Sequence, residues 1–482
     1  VLAITRRYQA RGRALMRRPG AVGLMGERGS GLLVLRGDAL RLPLADASVD
    51  LVVTSPPYFA LRAYGSGHAR EVGAEVDPAA YLRALWQATR EMARVLKPAG
   101  SIWVNLGDTY ATSPRGPDGS SSTLTNGAQQ RPGRRPTGGL ARKSLMGLPW
   151  AYALGCTGML ARLGSPDPDP PLGLILRAEV IWSKPNGLPE SVTDRVRRTH
   201  ETWFHLVKSP RYYAAVDELR EPHSPASQAR AGRNRFTPDR SQQGVGAPNT
   251  VDPQQACHPA GRLPASVWTI PAEPLRLPAH LGMEHYAAFG AEWPRRLVRG
   301  WSPPGICVAC GQGRFPVVDR CHDAQGRTTN GPRSLERRRL ADGTAGFPVR
   351  AITAAAVVGY ACACTPFTDH PERRGRSWQP HDDDAGRGAR STGHERPDRP
   401  REPIRNYHLD RWTPPPTRPA VVLDPFGGTG TTAHVAVALG RVGISVDLHP
   451  GYCRVAADPT VAAERAGKAR ARTNRDLQGM LL

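Results

Sequence analysis

Val421-Val422-Leu423-Asp424-Pro425-Phe426-Gly427-Gly428-Thr429-Gly430-Thr431-Thr432 is a short apolar run that ends on a carboxylate and breaks into a glycine turn. Apolar residues over 433–439 then follow at helical spacing, so the stretch predicts strand, turn and helix in succession. Glycines at such a junction let a ligand approach the backbone beside a helix N-terminus. Seventeen residues past Gly430, Asp447 closes the next expected strand, 443–447, where a carboxylate can accept hydrogen bonds from ribose hydroxyls. Gly428-x-Gly430-x-x-Ala433 also satisfies the nicotinamide-dinucleotide fingerprint as a pattern. Asp424-Pro425-Phe426 decides against that reading, because it sets a carboxylate where a cationic ligand would sit and leaves less room for a pyrophosphate.

Further strands are predicted at 32–35, 49–54, 101–106 and 179–182. Between the second and third of these, Tyr81, Leu82, Leu85, Trp86, Met92 and Leu96 recur at helical spacing and the pattern stops at Lys97-Pro98. Short buried runs alternating with helices argue for a doubly wound α/β fold, with a parallel sheet covered on both faces. Ligands of such sheets bind beyond the carboxyl ends of the strands. Thr54-Ser55-Pro56-Pro57-Tyr58 occupies that position after 49–53. Two prolines fix φ and lack N–H groups, so their carbonyls stay available as acceptors. With the Ser55 hydroxyl and the Tyr58 ring beside them, this corner suits a planar amine, gripped at its two N–H bonds and stacked on its face. A Pro-stabilised turn without function is the alternative reading of the same five residues.

The chain has 482 residues, a formal charge of +23, 51 Gly, 47 Pro and 39% apolar residues. Ordinary chains carry about 12% Gly plus Pro, so the loops here must be long. Four Gly/Pro/Arg/Ser-rich stretches, roughly 111–143, 220–262, 311–350 and 369–416, separate the apolar pieces, and no fixed-period repeat is present. The longest nearly uncharged apolar stretch, 351–363, is 13 residues, short of the roughly 20 that span a membrane. The first 30 residues carry seven Arg and one acid without an apolar core, which does not read as a secretory signal; a start at Met16 or Met25 is the expectation. Eight Cys are too few for a disulfide scaffold, and a reducing cytoplasm is expected. The positive charge speaks for a polyanionic partner or for solvated loops, and says nothing of the fold.

Taken together, Ser55-Pro56-Pro57-Tyr58 and 424–432 resemble the catalytic motif and the cofactor loop of the S-adenosylmethionine-dependent DNA amino methyltransferases. Catalytic motif first and cofactor loop last resembles the circularly permuted β-class, which methylates cytosine N4 or adenine N6. Gly37-Asp38, Ser48-Val49-Asp50, Arg94-Val95-Leu96-Lys97-Pro98 and Asn105-Leu106-Gly107-Asp108-Thr109-Tyr110 are similar to further family blocks. Ile181-Trp182-Ser183-Lys184-Pro185-Asn186, Pro189-Glu190-Ser191-Val192 and Lys208-Ser209-Pro210-Arg211-Tyr212-Tyr213 follow in the family's order, about 200 residues in all. Two departures stand out. Gly427-Gly428-Thr429-Gly430 replaces the more usual Gly-Ser-Gly ending, and in the cofactor-side helix Glu284-His285-Tyr286-Ala287-Ala288-Phe289, Gly290 stands where Pro is usual.

The resemblance implies a Rossmann-like, permuted sheet with long insertions and a catalytic role for Ser55, Pro56, Pro57 and Tyr58. It implies that Asp38, Asp424, Phe426, Gly427, Gly428, Gly430, Thr431 and Asp447 bind S-adenosylmethionine. Asp38 would lie near the adenine, Asp447 at the ribose, and Asp424 with Phe426 at the methionine end. Double-stranded DNA is the implied substrate, a cognate restriction endonuclease a conceivable partner, and no membrane is involved. Ser rather than Asp before Pro-Pro-Tyr favours cytosine N4, with adenine N6 as the alternative. A DNA-binding module that has lost turnover is the alternative of another class, and the two intact motifs argue against it.

Cys307-x-x-Cys310-Gly311 and Cys362-x-Cys364 have the spacing of two thiolate pairs, suited to a structural Zn²⁺. Four unrelated thiols are the alternative, and Cys321-His322 could replace one pair. The resulting division is a basic extension over 1–30; a catalytic half over 31–217 with loop 111–143; and a target-recognition region over 218–265. A cofactor-side helix region over 266–306, an insert with the zinc knuckle over 307–416, a cofactor half over 417–460 and a basic tail over 461–482 complete it. Arg220, Arg230, Arg233, Arg235 and Arg240 are the candidate DNA contacts of the recognition region, and Arg131 to Lys143, with Arg134, Arg135 and Arg142 between, is a second basic candidate.

Overall fold

The computed structural model describes residues 23–25, 31–59, 71–75, 77–111, 139–164, 171–187, 189–190, 192–227, 261–273, 277–282, 289–318, 357–370 and 404–481. Nine strands form one sheet: β1 (Gly23–Met25), β2 (Leu32–Arg36), β3 (Val49–Thr54), β4 (Leu96–Leu106), β5 (Ile175–Ser183), β6 (His200–Val207), β7 (Val267–Thr269), β14 (Val421–Asp424) and β15 (Val442–Asp447). Their order is β1-β2-β15-β14-β3-β4-β6-β5-β7. All six expected strands are present. The purely parallel sheet is corrected, however. β6 runs antiparallel to both β4 and β5, and β1 antiparallel to β2.

Winding around β3 and β14 explains the cleft. From β3 the chain passes through α1 (Pro78–Val95) to β4 on one side; from β14 it passes through α5 (Thr431–Ala438) to β15 on the other. The two crossovers diverge from neighbouring parallel strands, and that divergence opens a crevice at their carboxyl ends. α1 starts where Asp77 accepts a hydrogen bond from the Ala80 N–H, with Pro78 in the first turn, and ends before Lys97-Pro98 as its pattern requires. Its Tyr81, Leu85, Trp86 and Met92 pack on one face of the sheet with α2 (Leu148–Thr157), which is followed by the single turn α3 (Met159–Arg162).

The other face carries α4 (Glu292–Trp301) and a tryptophan cluster. Trp293 stacks on Trp203 at 4.8 Å and on Trp268 at 5.0 Å between ring centroids, with Trp182 edge-on at 5.6 Å. Six indoles concentrated against β4 to β7 supply a large apolar area on the side of the sheet where the antiparallel strand enters. α5 packs on this face too, and α6 (Pro450–Ala457) covers β2 and β15.

Two expectations about the ends of the chain change. Residues 461–482 are not a tail: α7 (Pro459–Leu481) packs on α5 and α6, burying Val461, Arg465 and Ala469. Residues 23–25, assigned to the basic extension, add the edge strand β1. Among the described residues no helix is long and apolar enough to cross a membrane.

Asp50 fastens the amino ends of the two central strands. One carboxylate oxygen accepts from the backbone N–H of Val421 at 2.8 Å and the other from Lys97 at 2.6 Å. Replacing it with alanine leaves that N–H buried without an acceptor. Asp50→Ala is expected to cost about 1–3 kcal/mol, read as a lowered urea midpoint at unchanged slope; an unaltered midpoint would show the tie to be dispensable.

Candidate active site

The crevice is lined by Gly37, Asp38 and Ala39 beyond β2, Ser55 and Pro57 beyond β3, and Asp424 to Thr429 with Thr431 beyond β14. Asp447, Leu448 and His449 beyond β15, Tyr452 of α6, and Glu71, Val72 and Phe289 complete it. Its empty space, open mouth included, is about 920 Å³. Seven of the eight residues expected at the cofactor line it, namely Asp38, Asp424, Phe426, Gly427, Gly428, Thr431 and Asp447; Gly430 does not, although its neighbours Thr429 and Thr431 do. Of the four catalytic candidates, Ser55 and Pro57 face the same space. Pro56 is buried behind them and Tyr58 is half-buried to one side.

Thr54 and Asp424 hold the two rims together. The Thr54 hydroxyl donates to Asp424 Oδ1 at 2.7 Å across 370 residues of sequence. Asp424 Oδ1 also accepts from the Phe426 N–H at 3.1 Å, and its Oδ2 accepts from the Thr432 hydroxyl at 2.9 Å. Asp424 is 3% exposed, so its oxygens serve the fold while the residue also lines the cleft. Asp447 behaves in the same way. It accepts from the Gly428 and His449 N–H groups at 2.8 Å each and so shapes the glycine turn from the neighbouring strand. Asp38 caps the turn 39–41 through the Leu40 N–H at 2.9 Å.

Gly430 adopts φ +78° to start α5, a conformation in which a side chain is strained. Behind the turn sits a residue that the sequence reading missed. Arg465 of α7 is 4% exposed and donates to the Thr429 carbonyl at 2.6 Å and the Thr429 hydroxyl at 2.7 Å, with Thr431 as a third partner. A cation spaced among helical Ala and Arg gave no sign of this, because only packing of α7 buries that one arginine.

A second network fixes the proline corner. The Tyr58 hydroxyl donates to Glu201 Oε2 at 2.8 Å, while the Asn105 amide donates to both the Tyr58 oxygen (3.0 Å) and Glu201 Oε2 (2.8 Å). Lys184 pairs with the other Glu201 oxygen and lies 4.1 Å from the Trp182 ring centre. The Pro57 carbonyl accepts from the Tyr81 hydroxyl at 2.9 Å, and a Cβ on Gly107 would stand 2.7 Å from the Tyr58 ring. Burial and the Glu201 carboxylate push the Tyr58 pKa well above the usual phenol value, so the ring stays neutral. Asn105 and Lys184 lie in motifs recognised from the sequence; Glu201 lies on the antiparallel strand β6, which was not foreseen.

Burial raises both Asp424 and Asp447 to about 6. Hydrogen bonds to their charged forms oppose the rise, whereas Glu71 adds to it at Asp447. A cleft whose acids resist ionisation favours a ligand that brings positive charge.

Other candidates fall elsewhere. Arg220 is spent within the fold, on Asp217 and the Gly261 carbonyl, which corrects its reading as a DNA contact. Lys143 pairs with Asp194. Arg230, Arg233, Arg235, Arg240, Arg131, Arg134 and Arg135, the helix residues 284–288, and Cys321-His322 lie outside the described residues.

Comparison with known proteins gives the family. A family profile described as DNA methylase matches residues 49–309 and 406–458. The chain belongs to that family. It is 39% identical over 200 residues to the type II methyltransferase M.XycI of Xanthomonas campestris pv. cyanopsidis, covering 40% of this chain and 59% of that protein. With M.SmaI of Serratia marcescens it shares 38% over 177 residues, 36% of this chain and 54% of the relative. The chain thus spans less than two thirds of these relatives' length. Among solved structures, the PvuII DNA methyltransferase (cytosine-N4-specific) aligns over 93% of both chains at 15% identity and a TM-score of 0.41.

The two carboxyls make stability depend on pH in a stated direction. Between about pH 4 and about pH 6 the folded chain retains protons that the unfolded chain has released, so Asp424 and Asp447 lower stability as pH rises through that window. For Asp424 the penalty above pH 6 is on the order of 3 kcal/mol. Urea midpoints across this range should fall less steeply for Asp424→Asn than for the wild type; parallel curves would contradict the assignment.

Proposed function

We propose that this DNA methylase transfers a methyl group from S-adenosylmethionine to the exocyclic amine of a base flipped out of double-stranded DNA, with cytosine N4 as the target. The observation that supports it is the shared cleft: Ser55 and Pro57 on one rim stand opposite the Asp424 to Thr431 turn on the other, pinned by the 2.7 Å hydrogen bond of Thr54 to Asp424. The donor set fits the cofactor, since Asp38, Glu71, Asp424 and Asp447 all face a space that would take a cation.

When bound, S-adenosylmethionine supplies an electrophilic methyl group on a sulfonium. The chain's task is to make a poor nucleophile attack. An exocyclic amine delocalises its lone pair into the ring; acceptors at the Ser55 hydroxyl and the Pro56 carbonyl would draw its two N–H bonds out of plane and free that lone pair. Tyr58, held by Asn105 and Glu201, would offer its ring to the base. Positioning and fixed dipoles supply the acceleration without a covalent intermediate, and extrusion of the base costs a few kcal/mol. Asp447, at the end of β15, would take the ribose and Asp38 would lie near the adenine.

The +23 charge suits a phosphate backbone. The type II names of the relatives extend the proposal to a short specific site and a cognate restriction endonuclease. Six free cysteines among the described residues fit a cytoplasmic setting.

Incubation with labelled S-adenosylmethionine and duplex DNA, followed by digestion to nucleosides and mass analysis, should yield N4-methylcytosine. N6-methyladenine would overturn the base, and absence of transfer would overturn the activity in favour of a binding module. Ser55→Ala, which removes an acceptor, should abolish transfer while cofactor binding persists; Pro56→Ala, which keeps the carbonyl but frees its φ, should lower transfer without abolishing it. Glu201→Gln, which loosens Tyr58 without touching the cleft, should lower turnover roughly ten- to a hundredfold with little change in cofactor Kd; an equal loss in both would make it merely structural.

A further inference from the structure

We propose that Cys307, Cys310, Cys362 and Cys364 form a tetrathiolate Zn²⁺ site that clamps the root of the long insertion beside the strand leading to the glycine turn. The four sulfur atoms all lie within 4.8 Å of one another, and Cys307 Sγ is 4.0 Å from Cys364 Sγ. Zn–S bonds of about 2.3 Å in a tetrahedron set sulfurs about 3.8 Å apart, whereas a disulfide needs about 2.05 Å. The observed spacing is that of ligands around an ion.

The backbone is built for the same purpose. Cys307 lies on β8 (Ile306–Cys307), and the chain turns back through Gly311, φ +73°, whose N–H donates to the Cys307 carbonyl at 2.9 Å. The second knuckle is closed by the buried Thr365, which donates its N–H to the Cys362 carbonyl and accepts from the Cys362 N–H, both at 2.9 Å. Gln312 joins the knuckles by accepting from the Ala363 N–H at 2.7 Å. Two turns 51 residues apart in sequence are thus brought face to face with all their thiols inward.

The site's position states its role. β8 pairs with β13 (Thr417–Arg418), three residues before β14 begins, so the clamp abuts the approach to the cofactor strand. The hairpin of β9 (Phe315–Val318) and β10 (Val357–Ala361) connects the two knuckles to the main body through Tyr360, whose hydroxyl donates to Glu218 at 2.5 Å; Arg299 of α4 holds the same carboxylate. β11 (Phe367–His370) and β12 (Ile404–Tyr407) pair just beyond the second knuckle.

Zinc is the ion chosen by four sulfurs in a closed tetrahedron with no open position for a reactant. The inference stands apart from the methyl-transfer proposal, because its readouts are metal content and spectra. Full-length protein purified without chelators should contain one zinc per chain by elemental analysis. Cobalt exchange should produce the intense visible bands and sulfur-to-metal charge transfer of a tetrahedral four-thiolate site. Cys310→Ser, at an exposed position, should weaken zinc binding a hundredfold or more in competition with a chromogenic chelator, whereas Cys156→Ala, in the core of α2, should not. Metal-free protein that also fails to give the cobalt spectrum, iron in place of zinc, or wild-type affinity in Cys310→Ser would each overturn the assignment.

Discussion

A single hydrogen bond, from the Thr54 hydroxyl to the Asp424 carboxylate, sets the distance between the two halves of the cleft. Each partner is the last residue of its strand, so each is followed at once by chemistry: Ser55-Pro56-Pro57-Tyr58 after one, Pro425 to Thr431 after the other. The strands pair in parallel, and Asp50 ties their opposite ends through the Val421 N–H. Two carboxylates separated by the length of a strand therefore fix both register and level. A one-residue slip would turn every buried valine to the wrong face and move the proline corner away from the glycine turn.

Much of this was legible because strands, helix boundaries and glycine turns are local matters. The apolar runs at 32–35, 49–54 and 421–424 could be nothing but buried strands once their neighbours turned polar, and Lys97-Pro98 marked the end of α1. What stayed hidden depends on partners far away in sequence. Whether Asp424 faces a ligand or its own fold is decided by Thr54 and Thr432, which no pattern around 424 reveals. Glu201 acquires meaning only because β6 inserts antiparallel beside β4 and carries it to Tyr58. Arg465 looks like one of many arginines until α7 folds back and buries it against Thr429.

These arrangements share an electrostatic logic. The turn is gripped from behind by a buried cation, Arg465, and from the sheet side by two carboxyls whose burial holds them near pH 6. A positively charged ligand entering the cleft would relieve the carboxyls of part of their desolvation penalty, and would not meet Arg465, which is screened by the backbone it binds. At the other rim the logic is reversed. Tyr58 sits in a network with Asn105, Glu201 and Lys184, so its ring is fixed and uncharged.

Permutation of the chain explains why such ties are needed at all. In an unpermuted order the cofactor strand would be joined to the catalytic strand through short connections, and loop closure would cost little. Here β14 arrives only after more than three hundred residues of polypeptide, including an insertion that leaves the body at Cys310 and returns at Cys362. Closure entropy grows only with the logarithm of loop length, so the length itself is tolerable; what matters is that β13 and, three residues later, β14 are held in register where the chain rejoins the body. A clamp at the root of the insertion isolates the strand from whatever lies beyond it. The four cysteines stand at that root, and hydrogen bonds link their surroundings to Glu218 and α4, so the place where the chain rejoins β13 is tied to the body of the protein.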